Sequence, residues 1–391
     1  MLHTFLRKSF DQLGPLLAMF AVWCLFAVLR WQHFASWENS QSILLQTAVV
    51  GIAALGATMI IVAGGIDLSV GSLIALTSVI VAYALEHLAG HEGKAAGALS
   101  PGFAAALSAV LGIAAAGVCG LGVGAMIVGR IGRVAAVLLG SLAALLAWQH
   151  FGLSPWAAAP LGVALATALW FAEARLKLSL PLLPFIVTLG AWGAFRGVAK
   201  GIANNSAIYP RETWLNALMR LPTTKADMAL LFHPTQWWSP GVWIFLVLAA
   251  VIAGLLRYTQ FGRHVYAIGS NEQTARLCGV DVAGTKIKIY TLAAILAGVA
   301  GVLQYSQLTM GDPTTANGYE LKVIASVVIG GASLSGGVGT VLGTLAGALM
   351  MTIIDNGCTK VGVANWIQEI ITGAIIVAAV AVDQLRHRAK S

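Results

Sequence analysis

The stretch LLRYTQFGRHVYAIGSNEQTARLCGVDVAGTK, from Leu255 to Lys286, separates two strongly apolar runs and is the most basic segment to do so. With Lys288, two residues further on, it holds five of the 23 Lys and Arg residues of the chain. A basic segment between two apolar runs is typical of a loop that joins two membrane spans. Residues 257–286 are called the coupling loop below.

The coupling loop carries the signals of a short capped helix. Ser270 and Gln273 have the S-x-x-Q spacing of a capping box, which predicts a helix start. Glu272 and Arg276 stand four residues apart, so they can pair on one helix face. Gly279 stands where a left-handed residue would end the helix. We expect a helix of about eight residues, roughly 12 Å long, which has little core of its own to bury and contacts another protein. A helix that lies at the membrane surface with no partner is the alternative.

The composition predicts an all-α integral membrane protein. Hydrophobic residues make up 58% of the chain, charged residues only 10%, and the mean hydropathy is +0.84. A soluble domain would contain about a quarter charged residues. Apolar runs of about 20 residues recur along the chain, which favours spanning helices over a barrel.

The apolar runs predict a single transmembrane domain, 1–391, with about 12 spans. We place them at about 13–31, 42–63, 70–86, 101–130, 134–150, 156–173, 184–196, 241–256, 286–304, 321–334, 337–355 and 366–383. We expect the polar residues 201–240 to form a periplasmic loop. Most Lys and Arg residues then fall on the side of the two termini and of the coupling loop, so we assign that side to the cytoplasm. This orientation, rather than nucleic-acid binding, explains the net charge of +8.

Two glycine-containing segments have similar sequences. Residues 60–69 read IIVAGGIDLS and residues 327–335 read VVIGGASLS. Aligned, Gly64 and Gly65 fall on Gly330 and Gly331. Glycine-interrupted apolar segments in matching positions indicate the solute pathway of a transporter. Chance similarity between glycine-rich apolar segments is the alternative.

Polar residues within the apolar runs are the candidates for that pathway. An acidic group in a membrane is costly, so Asp67 is expected to face protein or water. It lies beside a pathway or, as we favour, caps the start of the following helix. Asp355, Glu320 and Arg196 are interpreted as residues at helix ends or at the membrane surface. The candidate pathway residues are Asp67, Ser69, Ser333, Ser335 and Asn356.

The sequence contains no pattern for catalysis. GHEGK, at 90–94, lacks the spacing and the hydroxyl residue of a phosphate-binding loop. The four cysteines and the dispersed histidines have no metal-ligand spacing. We therefore expect a transport subunit that is not an enzyme and has no cofactor in this chain.

Five blocks resemble the permease subunits of bacterial monosaccharide ABC importers of the ribose, xylose and galactose type, within the superfamily that includes branched-chain amino-acid permeases. The blocks are AGGIDLSVGS (63–72), LPFIVTLG (183–190), GRHVYAIGSNEQTARLCGV (262–280), GYELKVIASVVIGGASLSGG (318–337) and DNG (355–357). The resemblance implies a permease core of about ten helices in the bacterial inner membrane, paired as a dimer with a second copy. It also implies two partners: a cytoplasmic ABC ATPase, which holds ATP and Mg, and a periplasmic or extracellular sugar-binding protein.

The resemblance further implies that residues 270–280 form the coupling helix, which contacts the ATPase. Its matching residues are Ser270, Asn271, Glu272, Thr274, Ala275, Arg276, Gly279 and Val280. Two departures from the family pattern are an extra hairpin at 134–173 and an enlarged loop at 201–240. A permease for branched-chain amino acids or nucleosides is one alternative. A secondary transporter or channel that works alone is another.

Overall fold

The computed structural model describes residues 2–89, 99–130, 152–176, 182–220 and 239–388, with isolated positions between 132 and 147. Within these residues the regular elements are helices, and one isolated β-bridge joins Ile208 and Gly311. The predicted all-α class is confirmed for this part of the chain.

The helices follow one another along the whole described chain. They are α1 (Leu2–Leu29), α2 (Trp31–Phe34), α3 (Trp37–Val62), α4 (Val70–Ala89), α5 (Pro101–Ile127), α6 (Pro155–Leu176), α7 (Pro184–Ile202), α8 (Pro240–Tyr258), α9 (Gln260–Ser270), α10 (Glu272–Leu277), α11 (Val282–Leu308), α12 (Tyr319–Ile329), α13 (Val341–Val361) and α14 (Asn365–Arg388). A 3₁₀ helix covers Trp214–Met219.

Six of the described helices are long and apolar enough to cross a membrane: α3, α4, α5, α8, α11 and α13. Shorter apolar stretches occur within α1, α6 and α14. The predicted span at 321–334 is instead the 11-residue α12. At 1.5 Å per residue it covers about 16 Å, roughly half of a bilayer core. An irregular segment, 330–340, follows it.

The centre of the bundle is α3, packed against α11. Ile52, Leu55 and Met59 of α3 are fully buried. A Cβ atom on Gly56 would lie 2.9 Å from Cα of Ala293 in α11, so the two backbones approach closely. Small residues at helix contacts are typical of membrane bundles, in which close van der Waals packing replaces a hydrophobic driving force.

Only part of the two predicted additions is described. Most of 134–150, the first half of the predicted hairpin, lies outside the described residues, and α6 covers the second half. Gly140 approaches α6 so closely that a Cβ atom on it would overlap the carbonyl oxygen of Gly162.

The second addition, the 201–240 loop, is described as far as residue 220, and 221–238 lie outside the described residues. Its 3₁₀ helix buries Leu215 completely. The Met219 N–H group donates to Oγ of Ser306, 3.0 Å away, near the end of α11. This part of the loop therefore packs on the bundle.

Candidate functional site: the coupling loop and two helix breaks

The coupling loop folds as two helices rather than one. Thr259 caps α9, because its Oγ1 accepts the N–H of Gly262 at 3.2 Å. Val265 and Ile268 form the buried side of α9. The chain then bends at Asn271, whose Oδ1 accepts the N–H of Thr274 at 2.8 Å. Asn271 is thus the N-cap of α10.

The predicted capping box at Ser270 and Gln273 is therefore wrong by one residue. Ser270 is the last residue of α9, and α10 has six residues instead of about eight. The reason is that the amphipathic α9 extends its hydrogen bonding to the N–H of Asn271, which donates to the carbonyl oxygen of Ala267. Ser270 is consequently helical and cannot take the extended conformation of an N-cap.

Glu272 links α10 to α11. Its Oε1 lies 3.1 Å from Nη2 of Arg276, which confirms the predicted pair four residues apart. Its Oε2 lies 2.7 Å from Nζ of Lys286 in α11, a contact that local spacing does not reveal. Burial raises the pKa of Glu272, but Lys286 and then Arg276 outweigh this effect, and the net pKa lies below its ordinary value. The carboxylate is charged at neutral pH and holds α10 in place.

The end of α10 is also fixed. Gly279 has a φ of +83°, which confirms the predicted left-handed residue. The N–H of Val280 donates to the carbonyl oxygen of Ala275 at 3.1 Å, and the N–H of Gly279 donates to that of Arg276. These bonds form the Schellman end of a helix.

The outer side of α10 is open to solvent. Of the predicted coupling residues, Ala275 is buried, and Glu272 and Val280 are half-buried. Leu277 is 88% exposed. The exposed residues between 270 and 280 are Ser270, Asn271, Gln273, Thr274, Arg276, Leu277, Cys278 and Gly279. α10 therefore presents a short, rigid, mostly polar surface with one large apolar side chain.

The two similar glycine-containing segments, 60–69 and 327–335, correspond to two similar breaks between helices. The first break, from Val62, the last residue of α3, to Ser69, joins α3 to α4, and the second break, residues 330–340, joins α12 to α13. Gly64 has a φ of +77° and Gly331 a φ of +90°. In each break the next residue donates its N–H five residues back, to Ile60 in the first and to Val327 in the second. Both preceding helices thus end in a Schellman motif.

The two breaks also share a bond within the loop. Oδ1 of Asp67 accepts the N–H of Ser69 at 2.7 Å, and Oγ of Ser333 accepts the N–H of Ser335 at 3.2 Å. In the structure the left-handed Gly64 corresponds to the left-handed Gly331, whereas the sequence alignment pairs Gly64 with Gly330. The second break has one residue fewer between the glycine and the bonded pair.

Asp67 acts on the start of α4 indirectly. The first turn of α4 is closed by the carbonyl of Ser69, which accepts the N–H of Leu73 at 2.9 Å. Asp67 accepts both the N–H and the hydroxyl of Ser69. It therefore orients the residue that precedes the helix, whereas the sequence predicted a bond from Asp67 to an N–H group of the helix itself.

The candidate pathway residues do not form one cluster. Asp67 and Ser69 lie in the first break, and Ser333 and Ser335 in the second, where Ser335 is exposed. The two breaks touch, because the N–H of Gly337 donates to the carbonyl oxygen of Val62 at 2.8 Å. Asn356 lies 16 residues beyond Thr340, the N-cap of α13, or about 24 Å along that helix.

Two charged residues of the apolar runs have different roles from those expected. Asp355 is not at a helix end but inside α13, and its Oδ2 lies 2.6 Å from Nζ of Lys322 in α12. Arg196 does not reach a surface alone: its Nη1 donates to the carbonyl oxygens of Pro313 and Thr315, at 2.9 and 2.6 Å. Charged residues in apolar runs are the signal that pointed to these positions, but the partners lie far away in the sequence.

A polar cluster surrounds Thr315 on the segment between α11 and α12. Nε2 of Gln304 donates to its Oγ1 at 3.0 Å, while Arg196 binds its carbonyl oxygen. Glu320 follows in the first turn of α12 and contacts Gly71 in the first turn of α4. Three buried atoms of this cluster have no hydrogen-bond partner among the described residues: Nη2 of Arg196, Oε1 of Gln304 and Oε2 of Glu320. Buried polar atoms in native proteins normally have a partner, such as ordered water, so this cluster has hydrogen-bonding groups that the described side chains leave unused.

Comparison with known proteins assigns the chain to a family of permeases. Residues 128–380 match the family model described as "Branched-chain amino acid transport system / permease component". The chain belongs to this family of ABC importer permeases, whose members include sugar permeases.

Several of the relatives that it resembles carry sugar names. It is 31% identical to the ribose import permease protein RbsC of Escherichia coli K12 over 360 residues, 91% of this chain and 88% of that protein. It is 31% identical to RbsC of Bacillus subtilis 168 over 383 residues, 97% and 95% of the two chains. It is 29% identical to the xylose transport system permease protein XylH of Haemophilus influenzae over 417 residues, 94% of each chain. No solved structure matches the chain.

Proposed function

We propose that this chain is the membrane subunit of an ATP-driven importer of a monosaccharide such as ribose or xylose. It forms the translocation pathway in the bacterial inner membrane, with about 12 spans and with both termini in the cytoplasm. It pairs with a second copy, receives sugar from a periplasmic or extracellular binding protein, and contacts a cytoplasmic ABC ATPase. ATP and Mg are held by that ATPase, and this chain acts as a transport subunit and not as an enzyme.

The proposal rests on one observation: α10 is capped at both ends, bound to α11, and exposed on its outer side. A six-residue helix is too short to be stable by itself, yet here it is capped at both ends and tied to α11 by Glu272 and Lys286. Its outer side remains exposed, with Leu277 at the tip. A rigid surface of this kind, in the loop that we assign to the cytoplasm, suits a partner that exerts force on it.

The mechanism that we propose is mechanical. ATP binding draws the two ATPase units together. The coupling loops, which contact these units, move with them. The two permease copies then change their relative tilt, as in other rigid-body transitions. Sugar enters the cavity between the copies, and hydrolysis resets the complex. The hydroxyl and amide groups of the two breaks, together with the polar cluster around Thr315, offer hydrogen bonds without excess charge, which suits a neutral solute.

The test is uptake by proteoliposomes. The chain is reconstituted alone, with the ATPase encoded in neighbouring genes, and with that ATPase plus the neighbouring secreted binding protein. Radiolabelled ribose and xylose are the probes, and radiolabelled leucine tests the amino-acid alternative that the family description favours. We expect sugar uptake only when ATP, ATPase and binding protein are all present. Uptake by the chain alone would establish a secondary transporter or channel instead, and uptake of leucine alone would establish an amino-acid permease.

A further inference from the structure

The end of α9 meets both helix breaks at one point. A Cβ atom on Gly269 would overlap the carbonyl oxygen of Val62, the last residue of α3, and would lie 2.6 Å from the nitrogen of Gly337. This arrangement leaves no space for any side chain at position 269. The coupling loop therefore touches the first and second breaks through backbone atoms.

The two breaks are bonded to each other at the same point. The carbonyl oxygen of Val62 is among the last four of α3, which have no partner within the helix. It accepts the N–H of Gly337 at 2.8 Å. The neighbouring Gly336 has its Cβ position 2.7 Å from the carbonyl oxygen of Gly269 and 3.1 Å from Cα of Gly64. One backbone hydrogen bond thus joins the breaks, and Gly269 covers it.

A side chain of α9 adds a second contact. Tyr266 lies three residues before Gly269, on the same face of the helix. Its hydroxyl donates to the carbonyl oxygen of Gly339 at 2.8 Å. α9 is therefore attached to the second break at two positions one helical turn apart, which fixes its direction as well as its distance.

We propose that Gly269 and Tyr266 are positioning residues that pass motion of α10 directly to both helix breaks. The proposal rests on the proposed function and identifies the residues through which the ATPase acts on the pathway. Only Asn271 separates α9 from α10, so a displacement of α10 moves α9. Because the contact at Gly269 is backbone against backbone, no side chain can change rotamer to absorb the displacement. The coupling loop and the two breaks therefore move as one body.

The substitution Gly269→Ala tests this contact. Gly254→Ala in α8 is the matched control, because a Cβ atom there meets nothing within 4 Å. The assembled complexes are compared for ribose and xylose uptake and for ATP hydrolysis. We expect Gly269→Ala to hydrolyse ATP but to lose roughly tenfold in uptake, and Tyr266→Phe to lose a smaller part, in the range of known coupling effects. Gly254→Ala should match the wild type.

Uptake by an assembled Gly269→Ala complex at the wild-type rate would overturn the proposal. If that variant does not assemble, Tyr266→Phe decides, because it removes only the hydroxyl that donates to the carbonyl oxygen of Gly339 and leaves the ring in place. Uptake by an assembled Tyr266→Phe complex at the wild-type rate would then overturn the proposal. Uptake by the wild type without ATPase would overturn the proposed function itself.

Discussion

Lys322 of α12 and Asp355 of α13 form an ion pair with a distance of 2.6 Å between Nζ and Oδ2. Their side chains are 28% and 23% exposed, so the pair is mostly enclosed by protein. Removal of one partner leaves the other charge without compensation in a poorly solvated place. A fully buried pair that loses one partner costs about 3–5 kcal/mol, and partial exposure reduces this value.

We expect Asp355→Asn to destabilise the folded chain by about 2 kcal/mol, and Lys322→Met to do the same. The double variant should recover most of the loss, because it leaves no unpaired charge. The measurement is the midpoint of thermal unfolding in detergent for the two single variants and the double variant. Losses that simply add in the double variant would show that the two residues act independently.

Glu272→Arg should uncouple ATP hydrolysis from transport. The new guanidinium would repel Arg276 and Lys286, so α10 would lose its tie to α11 while the bundle stays folded. We expect an assembled complex that hydrolyses ATP without sugar uptake in the proteoliposome assay. Glu38→Arg, at an exposed position in the first turn of α3, is the control and should transport normally. Uptake by Glu272→Arg at the control rate would count against a role for α10 in coupling.

The same carboxylate predicts a pH effect. The pKa of folded Glu272 lies below its ordinary value of 4.5. A depressed pKa gives stability that is complete above the unfolded pKa and is lost as pH falls through the folded pKa. A spin label on Cys278 should therefore become more mobile only below about pH 4.5. Glu272→Gln should remove this transition, and its persistence in that variant would assign it to another group.

Arg196 should stabilise the segment between α11 and α12. Hydrogen bonds from a charged group contribute about 1.5–3 kcal/mol each, and Arg196 donates to the carbonyl oxygens of Pro313 and Thr315. We expect Arg196→Ala to lower the unfolding free energy by about 3–6 kcal/mol, measured by thermal unfolding. Lys200→Ala, at an exposed position one turn later in α7, should have little effect. Equal losses in the two variants would contradict this role.

The sequence predicted features that depend on neighbours in the chain. The pair of Glu272 and Arg276 and the left-handed Gly279 follow from helix spacing alone, and both are confirmed. The N-cap of α10 was misplaced because Ser270 and Asn271 are both good capping residues. Asn271 is the N-cap because packing of the buried face of α9 extends that helix through Ser270.

Contacts between distant parts of the chain were beyond sequence reasoning. Arg196 and Thr315 are 119 residues apart, and Lys322 and Asp355 are 33 apart. Local patterns place such charges in apolar runs but do not identify their partners. The contact of Gly269 with Val62 and Gly337 could not be predicted for the same reason, although the two similar glycine-containing segments indicated both breaks.

Labelling of Cys278 tests the central claim, that α10 is a cytoplasmic surface for an ATPase. Cys278 is exposed at the end of α10, whereas Cys24 and Cys119 are half-buried and Cys358 is buried. With the other three cysteines replaced by serine, a membrane-impermeant maleimide is applied to right-side-out and inside-out vesicles, with and without bound ATPase. We predict labelling only in inside-out vesicles, and protection from labelling by the ATPase. Labelling in right-side-out vesicles, or no protection by a bound ATPase, would contradict the account.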